Sequence, residues 1–264
     1  MTAIIKDIDR LGRTDVAVLL ACDVLALRIK RFVRLDAAQE IAERIASHWS
    51  LSAYRNTPEL VRVGESHYET HDPNGTTNNE ALQSYLDNAD LLMEEIRKAC
   101  SPHESPLDKL WSMLGEEFGV ERARIAGREM FAGIGRVFPE GTELLPHNDS
   151  LARDAPGVPI GAELNGQLAA NVYLRVPEQG GQLQLWEVRP SAEDLQAWRA
   201  PGSEYGTDRT LVPPPDLEIQ IAPGDLVLID ATKLHGVARQ IRGSRISLSC
   251  FLGIRRGRPM VCWS

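Results

Sequence analysis

The sequence predicts an α+β fold, in which a mainly helical part (residues 1–125) precedes a strand-rich part (residues 126–264). In the first part, apolar residues recur at helical spacing. From Gly127 onward, short runs of Val, Ile and Leu are separated by Pro and Gly, a pattern typical of a sandwich or barrel. We expect a single domain, since 264 residues suit one large core with a helical appendage.

The first predicted elements are a strand and a helix. The run 25–33 alternates partly between polar and apolar residues, as a half-buried strand does. A helix over 36–48 follows, with Asp36 at the N-cap. Ile45 and Trp49 continue its helical spacing, which predicts that both lie on an apolar face.

Residues 50–80 form a predicted loop that is polar, rich in turn formers and long for a compact domain. His67 and His71 would share a face only in a helix, which the turn residues disfavour, so a lid is preferred to a second metal site. Helices are expected next over 80–99 and 105–118.

The second part is expected to contain several short strands, interrupted by a polar insert at residues 189–216. The clearest predicted strands are Gln167–Val176, Gly181–Val188, Leu217–Ile221, Asp225–Ile229 and Ile246–Leu252.

Composition narrows the functional class. The net charge of −8 disfavours a nucleic-acid groove, which needs a basic face. The longest early apolar run is too short to span a membrane, and the charged start lacks a signal-peptide layout. The four scattered cysteines suit reduced thiols. We therefore expect a cytoplasmic protein that acts on a small molecule, in an oligomeric state that the sequence does not indicate.

Three residues suggest a metal centre. His147 and Asp149 are two apart, so in a strand both side chains point to the same face. The apolar run Leu226–Ile229 leads to a second histidine, His235. Two imidazoles and one carboxylate form the facial triad of non-haem Fe(II) oxygenases. The alternative is that these histidines are structural, because the His-x-Asp pattern alone is weak.

A predicted anion site follows ten residues after His235. Arg245 and Ser247 are again two apart, so that a guanidinium and a hydroxyl share a strand face. Together they suit the distal carboxylate of 2-oxoglutarate, which a guanidinium can bind through two parallel hydrogen bonds. The alternative is a surface arginine, and Arg239 and Arg242 lie nearby.

At this point the chain resembles the 2-oxoglutarate/Fe(II)-dependent dioxygenase superfamily, over about residues 126–255. The matching pieces occur in family order and are His147-Asn148-Asp149, His235, Arg245-Ile246-Ser247, the turn Gly180-Gly181-Gln182-Leu183 and the strand Pro223-Gly224-Asp225-Leu226-Val227-Leu228. The resemblance implies a double-stranded β-helix (jelly-roll) core flanked by the N-terminal helices. It also looks like a branch of small bacterial oxygenases that act on free amino acids.

The resemblance carries a reaction as well. Iron at His147, Asp149 and His235 would be chelated by 2-oxoglutarate, which Arg245 anchors, and O₂ would complete the set. Decarboxylation to succinate and CO₂ would drive hydroxylation of a C–H bond. Related halogenases have a small residue at the carboxylate position, so Asp149 disfavours halogenation.

Other outcomes stay open. The same iron centre could carry out desaturation, cyclisation or epimerisation. A cupin-like metal-binding module without turnover would share the fold, since jelly rolls have many unrelated functions. A protein hydroxylase is a further alternative, because peptide grooves leave little trace in a sequence.

The substrate residues are predicted from charge and alternation. Arg128 and Arg136 lie in a strand-like stretch and could meet a substrate carboxylate, with Glu129 as an ammonium partner. Alternation also puts Asn171, Tyr173 and Arg175 on one face, where they could contact 2-oxoglutarate or substrate. The alternative in each case is an ordinary solvent-facing residue.

Overall fold

A computed structural model describes residues 4–55, 57–72, 76–155 and 158–264. Its helices are α1 Arg13–Leu20, α2 Leu35–Ala46, α3 Asn79–Cys100, α4 Pro106–Phe118, α5 Leu151–Asp154, α6 Pro159–Glu163 and α7 Ala192–Ala197, with a 3₁₀ turn at His67–Thr70. The two helices expected over 80–99 and 105–118 are thereby confirmed as α3 and α4. Among the helices in the described ranges, none combines the length and apolarity needed to cross a membrane.

The strands alternate with these helices along the whole chain. In order they are β1 Ile5–Asp7, β2 Ala26–Ile29, β3 Ser52–Ala53, β4 Val61–Val63, β5 Val120–Arg122, β6 Arg124–Ile125, β7 Arg128–Glu129, β8 Ile134–Phe138, β9 Leu144–His147, β10 Gly166–Arg175, β11 Gln179–Gly180, β12 Leu183–Leu185, β13 Leu217–Ile219, β14 Leu226–Asp230, β15 His235–Val237, β16 Gln240–Arg242, β17 Arg245–Ile254 and β18 Met260–Trp263. The architecture is thus a strand-rich mixture of α and β structure.

Two sheets matter for the site. The large sheet has the order β1-β2-β14-β10-β17-β8-β4-β3, with β18 paired to β17 and β5 paired to β18. The second sheet has the order β13-β12-β15-β9. The predicted division at residue 125 does not coincide with a sheet boundary, since β2 pairs with β14 and β4 pairs with β8. The strand predicted over 25–33 contains β2, whereas β1, β3 and β4 were not predicted, because each has only two or three residues.

The large sheet lies between the helices and the second sheet. Along its central strands, alternate side chains enter two different cores, as strand geometry requires. On β10, for example, Val172 and Leu174 belong to the core that includes the helices, whereas Ala169 and Tyr173 belong to the smaller core shared with the second sheet. The smaller core occupies part of the space between the sheets, and a cavity occupies the rest.

The start and end of α2 differ from the prediction. The helix begins at Leu35 with Arg34 at the N-cap, so Asp36 lies in the first turn, where its carboxylate favours the positive end of the helix dipole. The helix ends at Ala46, before the helical spacing can carry Trp49 inward. Trp49 is 75% exposed, and its indole Nε1 donates to Glu95 of α3 at 2.8 Å.

Candidate active site and metal centre

The second sheet positions the two histidines of the triad. His147 is the last residue of β9, His235 is the first of β15, and the two are cross-strand partners. Directly paired residues have Cβ atoms about 5 Å apart, which brings the rings together. The ring centroids lie 4.4 Å apart. The backbone pairing therefore sets the spacing of two ligands.

Asp149 completes the group from the segment that follows β9. Its Oδ2 atom lies 3.3 Å from Nε2 of His235 and 3.8 Å from Nε2 of His147. One ligand atom from each of the three residues lies within 4.8 Å of the others. The three donors thus converge closely enough to share a single ion.

Each histidine is oriented by its own backbone. Nδ1 of His147 is 2.8 Å from the carbonyl oxygen of Leu145, and Nδ1 of His235 is 2.9 Å from that of Lys233. A carbonyl oxygen only accepts, so Nδ1 carries the proton in both rings. The lone pair of each Nε2 is then directed at Asp149, which is the tautomer that a metal ligand needs.

The electrostatics favour the metal-binding forms. Burial, reinforced by His235, lowers the pKa of His147 to about 4. Burial alone would raise the pKa of Asp149, but the two neighbouring imidazoles outweigh it and hold that pKa below its usual range. At neutral pH His147 is therefore neutral and Asp149 is ionised, the forms in which they bind metal ions.

Hydrogen bonds tie the Asp149 segment to the loop that leads to His235. The Asp149 amide donates to the carbonyl oxygen of Ala231 at 2.8 Å, and the Asn148 side-chain amide donates to that of Thr232 at 3.0 Å. Arg153 in turn donates to the Asn148 side chain at 2.6 Å. These contacts fix two segments that are distant in sequence at one separation.

Arg245 of β17 is the second component of the site. Its side chain is only 4% exposed, and its Nη2 donates to the Tyr173 hydroxyl at 2.8 Å. The guanidinium carbon lies 4.5 Å from the Tyr173 ring centroid and 5.4 Å from that of Phe138. Its Nε and Nη1 atoms have no hydrogen-bond partner among the described residues. A buried guanidinium with unsatisfied donors is suited to binding a carboxylate.

The predicted neighbours of Arg245 fall into two groups. Ser247 and Asn171 line the same cavity, and Tyr173 holds the guanidinium. Arg175 does not share their face, because the register between β10 and β17 shifts between Tyr173 and Arg175. This bulge moves Arg175 to the helix side, where its Nη2 lies 4.0 Å from Glu43 of α2. The expectation that all three β10 residues share a face is corrected accordingly.

A cavity of about 390 Å³ joins the two components. The triad, Arg245, Ser247 and Arg136 all contribute to its wall. Two histidines and a carboxylate on one side, with an unsatisfied guanidinium on another, fit a divalent iron chelated by a dicarboxylate. The donor set therefore suits both groups that the sequence predicts.

Comparison with known proteins gives two related sequences. The chain is 34% identical, over 163 residues, to L-gamma-glutamyl-L-propargylglycine hydroxylase from Streptantibioticus cattleyicolor, a match that covers 60% of this chain and 59% of that relative. It is 27% identical, over 255 residues, to L-isoleucine 3(1)-dioxygenase from Pantoea ananatis, which covers 88% of this chain and 82% of that enzyme. No family model matches.

The fold is similar to that of an N-substituted L-amino acid dioxygenase from Burkholderia ambifaria AMMD. The TM-score is 0.64 at 16% identity, and the match covers 95% of this chain and 91% of that one. Another structure of that enzyme contains alpha-KG, which is 2-oxoglutarate. The chain is therefore similar in sequence to two enzymes that oxidise amino acid compounds, and it shares the fold of a dioxygenase that binds 2-oxoglutarate.

The substrate residues expected from the sequence lie in two different places in the fold. Arg128 and Glu129 do not line the cavity. Arg128 pairs with Asp87 at 2.6 Å, and Glu129 accepts from Arg122 and Arg124. Both residues therefore form ion pairs near the surface. The prediction that they contact the substrate is corrected accordingly.

Arg136 does line the cavity. It alternates with Gly135 and Val137, which face the helices, so its side chain points to the space between the sheets. Its Nε donates to the Tyr54 hydroxyl at 3.1 Å. Of the three substrate candidates on β7 and β8, this is the one that the fold brings to the metal centre.

Sequence reasoning missed the aromatic residues of the cavity. Tyr54 and Tyr68 come from the predicted lid, and Tyr205 comes from the polar insert at 189–216. The Tyr205 ring lies edge-on to His147, at 5.3 Å between centroids, and 6.4 Å from Tyr68. Described residues of the predicted loop, including Tyr54, Leu60 and Tyr68, therefore line the cavity. The available signal was an aromatic residue within each polar segment.

Proposed function

We propose that this protein is an Fe(II)- and 2-oxoglutarate-dependent oxygenase that hydroxylates an unactivated C–H bond of a free amino acid or a similar small natural-product precursor. One observation carries the proposal. A single cavity contains a converged His-Asp-His group and a buried guanidinium with two unsatisfied nitrogens. The first group suits iron, and the second suits a carboxylate of the co-substrate.

Each residue has a definite task. His147, Asp149 and His235 would hold iron on one face and leave the opposite positions open. Bound iron, with 2-oxoglutarate and O₂, supplies the oxidising power for C–H cleavage. Arg245 would bind the distal carboxylate, held in place by the Tyr173 hydroxyl and assisted by Ser247. Apolar walls such as Ile229 and Phe251 would exclude water from that end.

The strand order supports a jelly-roll core within one domain spanning residues 1–264. Between β8 and β17, the chain passes repeatedly from one sheet to the other: β8, β10, β14 and β17 belong to the large sheet, and β9, β12, β13 and β15 belong to the second sheet. This alternation is what a double-stranded β-helix requires. The single-domain proposal is supported by the large sheet, which includes strands from β1 to β18.

The substrate is proposed to be small. A cavity of about 390 Å³ lies in the range of small-molecule sites, and part of it must accommodate the co-substrate. The two named relatives are a hydroxylase and a dioxygenase of amino acid compounds. The net charge of −8 argues against nucleic acid. Four free cysteines are consistent with a cytoplasmic location.

The test is anaerobic binding of Fe(II) followed by 2-oxoglutarate, monitored through the weak visible charge-transfer absorption of the chelate. Asp149→Ala should abolish the band, and Arg245→Gln should require far more 2-oxoglutarate to produce it. His103→Ala and Arg242→Gln are matched controls, since both residues are paired at the surface, away from the cavity. Iron binding without a band would contradict chelation and favour a cupin-like binding protein. Absence of iron binding would return the triad to a structural role.

A further inference from the structure

The cavity contains a second cation that the iron and co-substrate sites do not use. Neither Arg136 nor Arg245 forms a salt bridge with any residue in the described part of the chain. Other charged side chains of the cavity wall have partners of their own, and Arg199 donates to the backbone carbonyl oxygen of Glu204. Glu69 binds Arg62, and Asp154 binds Arg153 at 2.7 Å.

Arg136 lies next to the co-substrate end of the cavity, but its neighbours differ from those of Arg245. Arg136 of β8 is the cross-strand partner of Ser247, whereas Arg245 is the partner of Phe138, one row further along the sheet. Arg245 is held by Tyr173, from the sheet itself. Arg136 is held by Tyr54, which lies in the predicted loop at residues 50–80. The two guanidinium groups therefore face different parts of one space.

The charge balance calls for one more anion. Asp149 offsets one charge of a divalent iron, and doubly charged 2-oxoglutarate offsets the remaining one and Arg245. Arg136 is then left with a positive charge in the cavity whose wall it shares with His147 and Asp149. A partly buried cation without an anionic partner, such as Arg136, is stabilised by an anionic ligand.

We propose that Arg136, oriented by the Tyr54 hydroxyl, binds the carboxylate of the substrate, and that the substrate is a small amino acid with an apolar side chain. This inference rests on the proposed function. Carboxylate binding at Arg136 places the rest of the molecule beside Tyr205, whose ring also contacts His147. Tyr68 and Leu60 complete an aromatic and apolar wall on that side. An apolar side chain is thereby held next to the iron ligands.

The experiment measures binding rather than turnover. L-Isoleucine, L-leucine, L-norvaline and L-methionine, each with its carboxamide, are titrated by calorimetry into anaerobic protein carrying Fe(II) and 2-oxoglutarate. At least one of these amino acids should bind the wild type. Its carboxamide should bind at least about 30-fold more weakly, because Arg136 then has no charged partner. Arg136→Gln should weaken the acid by a similar factor, with little effect on the carboxamide or 2-oxoglutarate.

Two further variants support the assignment. Arg128→Gln is the matched control, since Arg128 is paired at the surface with Asp87, and it should leave every affinity unchanged. Tyr54→Phe removes only the orienting hydroxyl, so it should weaken the acid several-fold. It provides the same information if Arg136→Gln does not fold.

The outcomes are distinguishable. Equal binding of acid and carboxamide, or an acid affinity unaffected by Arg136→Gln and Tyr54→Phe, would overturn the inference. So would a loss of 2-oxoglutarate affinity in Arg136→Gln, which would assign Arg136 to the co-substrate. If no acid binds while iron and 2-oxoglutarate do, the inference falls and the oxygenase chemistry stands. If the wild type fails to bind 2-oxoglutarate, the proposed function itself fails.

Discussion

His147 and His235 are cross-strand partners at the edge of the second sheet, and their ring centroids lie 4.4 Å apart. The pairing of β9 with β15 thus sets the distance between the two imidazole ligands. Changes in the backbone between β9 and β15 should therefore alter metal affinity without touching a ligand.

Gly236 tests this dependence. A Cβ atom there would lie 3.0 Å from the Leu144 carbonyl oxygen and 3.2 Å from the Pro146 backbone, so Gly236→Ala must push β15 away from β9. We expect Fe(II) affinity to fall about 10-fold, in the range seen when the supports of metal ligands are disturbed. Metal titration measures it, with Gly115→Ala as the control, because Gly115 lies in helix α4 and the nearest atom to a Cβ there, on Val120, is 4.0 Å away. Unchanged affinity in Gly236→Ala would show that the strands absorb the methyl group.

Asn148 tests the tether between the two ligand-bearing segments. Asn148→Ala removes the bond to the Thr232 carbonyl oxygen and the acceptor for Arg153. Asp149 should then be less well positioned, and Fe(II) affinity should fall about 10- to 100-fold. Asn165→Ala serves as control, since its side chain accepts an exposed backbone bond far from the triad. A loss of stability with normal iron affinity would make the tether purely structural.

The Tyr173 hydroxyl is expected to act through Arg245. Tyr173→Phe removes the acceptor of Arg245 Nη2, so the guanidinium loses its orientation. A hydrogen bond to a charged group contributes about 1.5–3 kcal/mol, and we expect the Kd for 2-oxoglutarate to rise roughly 10-fold or more. The matched control is Tyr85→Phe. That hydroxyl donates to the backbone oxygens of Phe131 and Ser264, so its loss should lower stability and leave 2-oxoglutarate binding intact.

His67 should make stability dependent on pH. Burial lowers its pKa to about 3, and its Nε2 has no partner among the described groups. With an unfolded pKa near 6.5, the unfolded chain binds more protons between about pH 3 and 6.5, so stability falls as the pH falls through this range. From pH 7.5 to pH 5 the contribution lost is about 2 kcal/mol.

The measurement is denaturant unfolding of metal-free protein at both pH values. His67→Phe keeps the ring contacts and removes the titration, so it should lose about 2 kcal/mol less than the wild type on acidification. The subtraction cancels other groups, including His147, that titrate in both proteins. Identical losses in His67→Phe and the wild type would contradict the buried neutral histidine.

The strands of the core and the triad could be predicted because their signals are local. His147 and Asp149, like Arg245 and Ser247, are two residues apart, and strand geometry alone places each pair on one face. Arg175 was assigned to the wrong face because a bulge depends on pairing with β17 and leaves no local mark. Arg128 and Arg136 looked equivalent in sequence. Only the fold shows that one is paired with Asp87 and the other faces the cavity.

The cavity tyrosines were missed for the same physical reason. Tyr54 and Tyr205 are about 150 positions apart in the chain and meet through tertiary packing over β8 and β9. Their segments could be recognised as unusual in length and polarity. Which of their side chains point inward is decided by contacts between distant parts of the chain, and no local pattern encodes that choice.

The two halves of the site come from different sheets, since the iron ligands belong to the second sheet and its flanking segment, whereas Arg245 belongs to the large sheet. A co-substrate that chelates iron at one end and binds Arg245 at the other would act as a cross-brace between the layers. At a free 2-oxoglutarate concentration of 100 times Kd, binding would raise the free energy of unfolding by about 2.7 kcal/mol. In the proposed reaction, 2-oxoglutarate is shortened by one carbon, and this connection between the two sheets would be lost. The free energy of unfolding should therefore be higher with 2-oxoglutarate bound than after turnover.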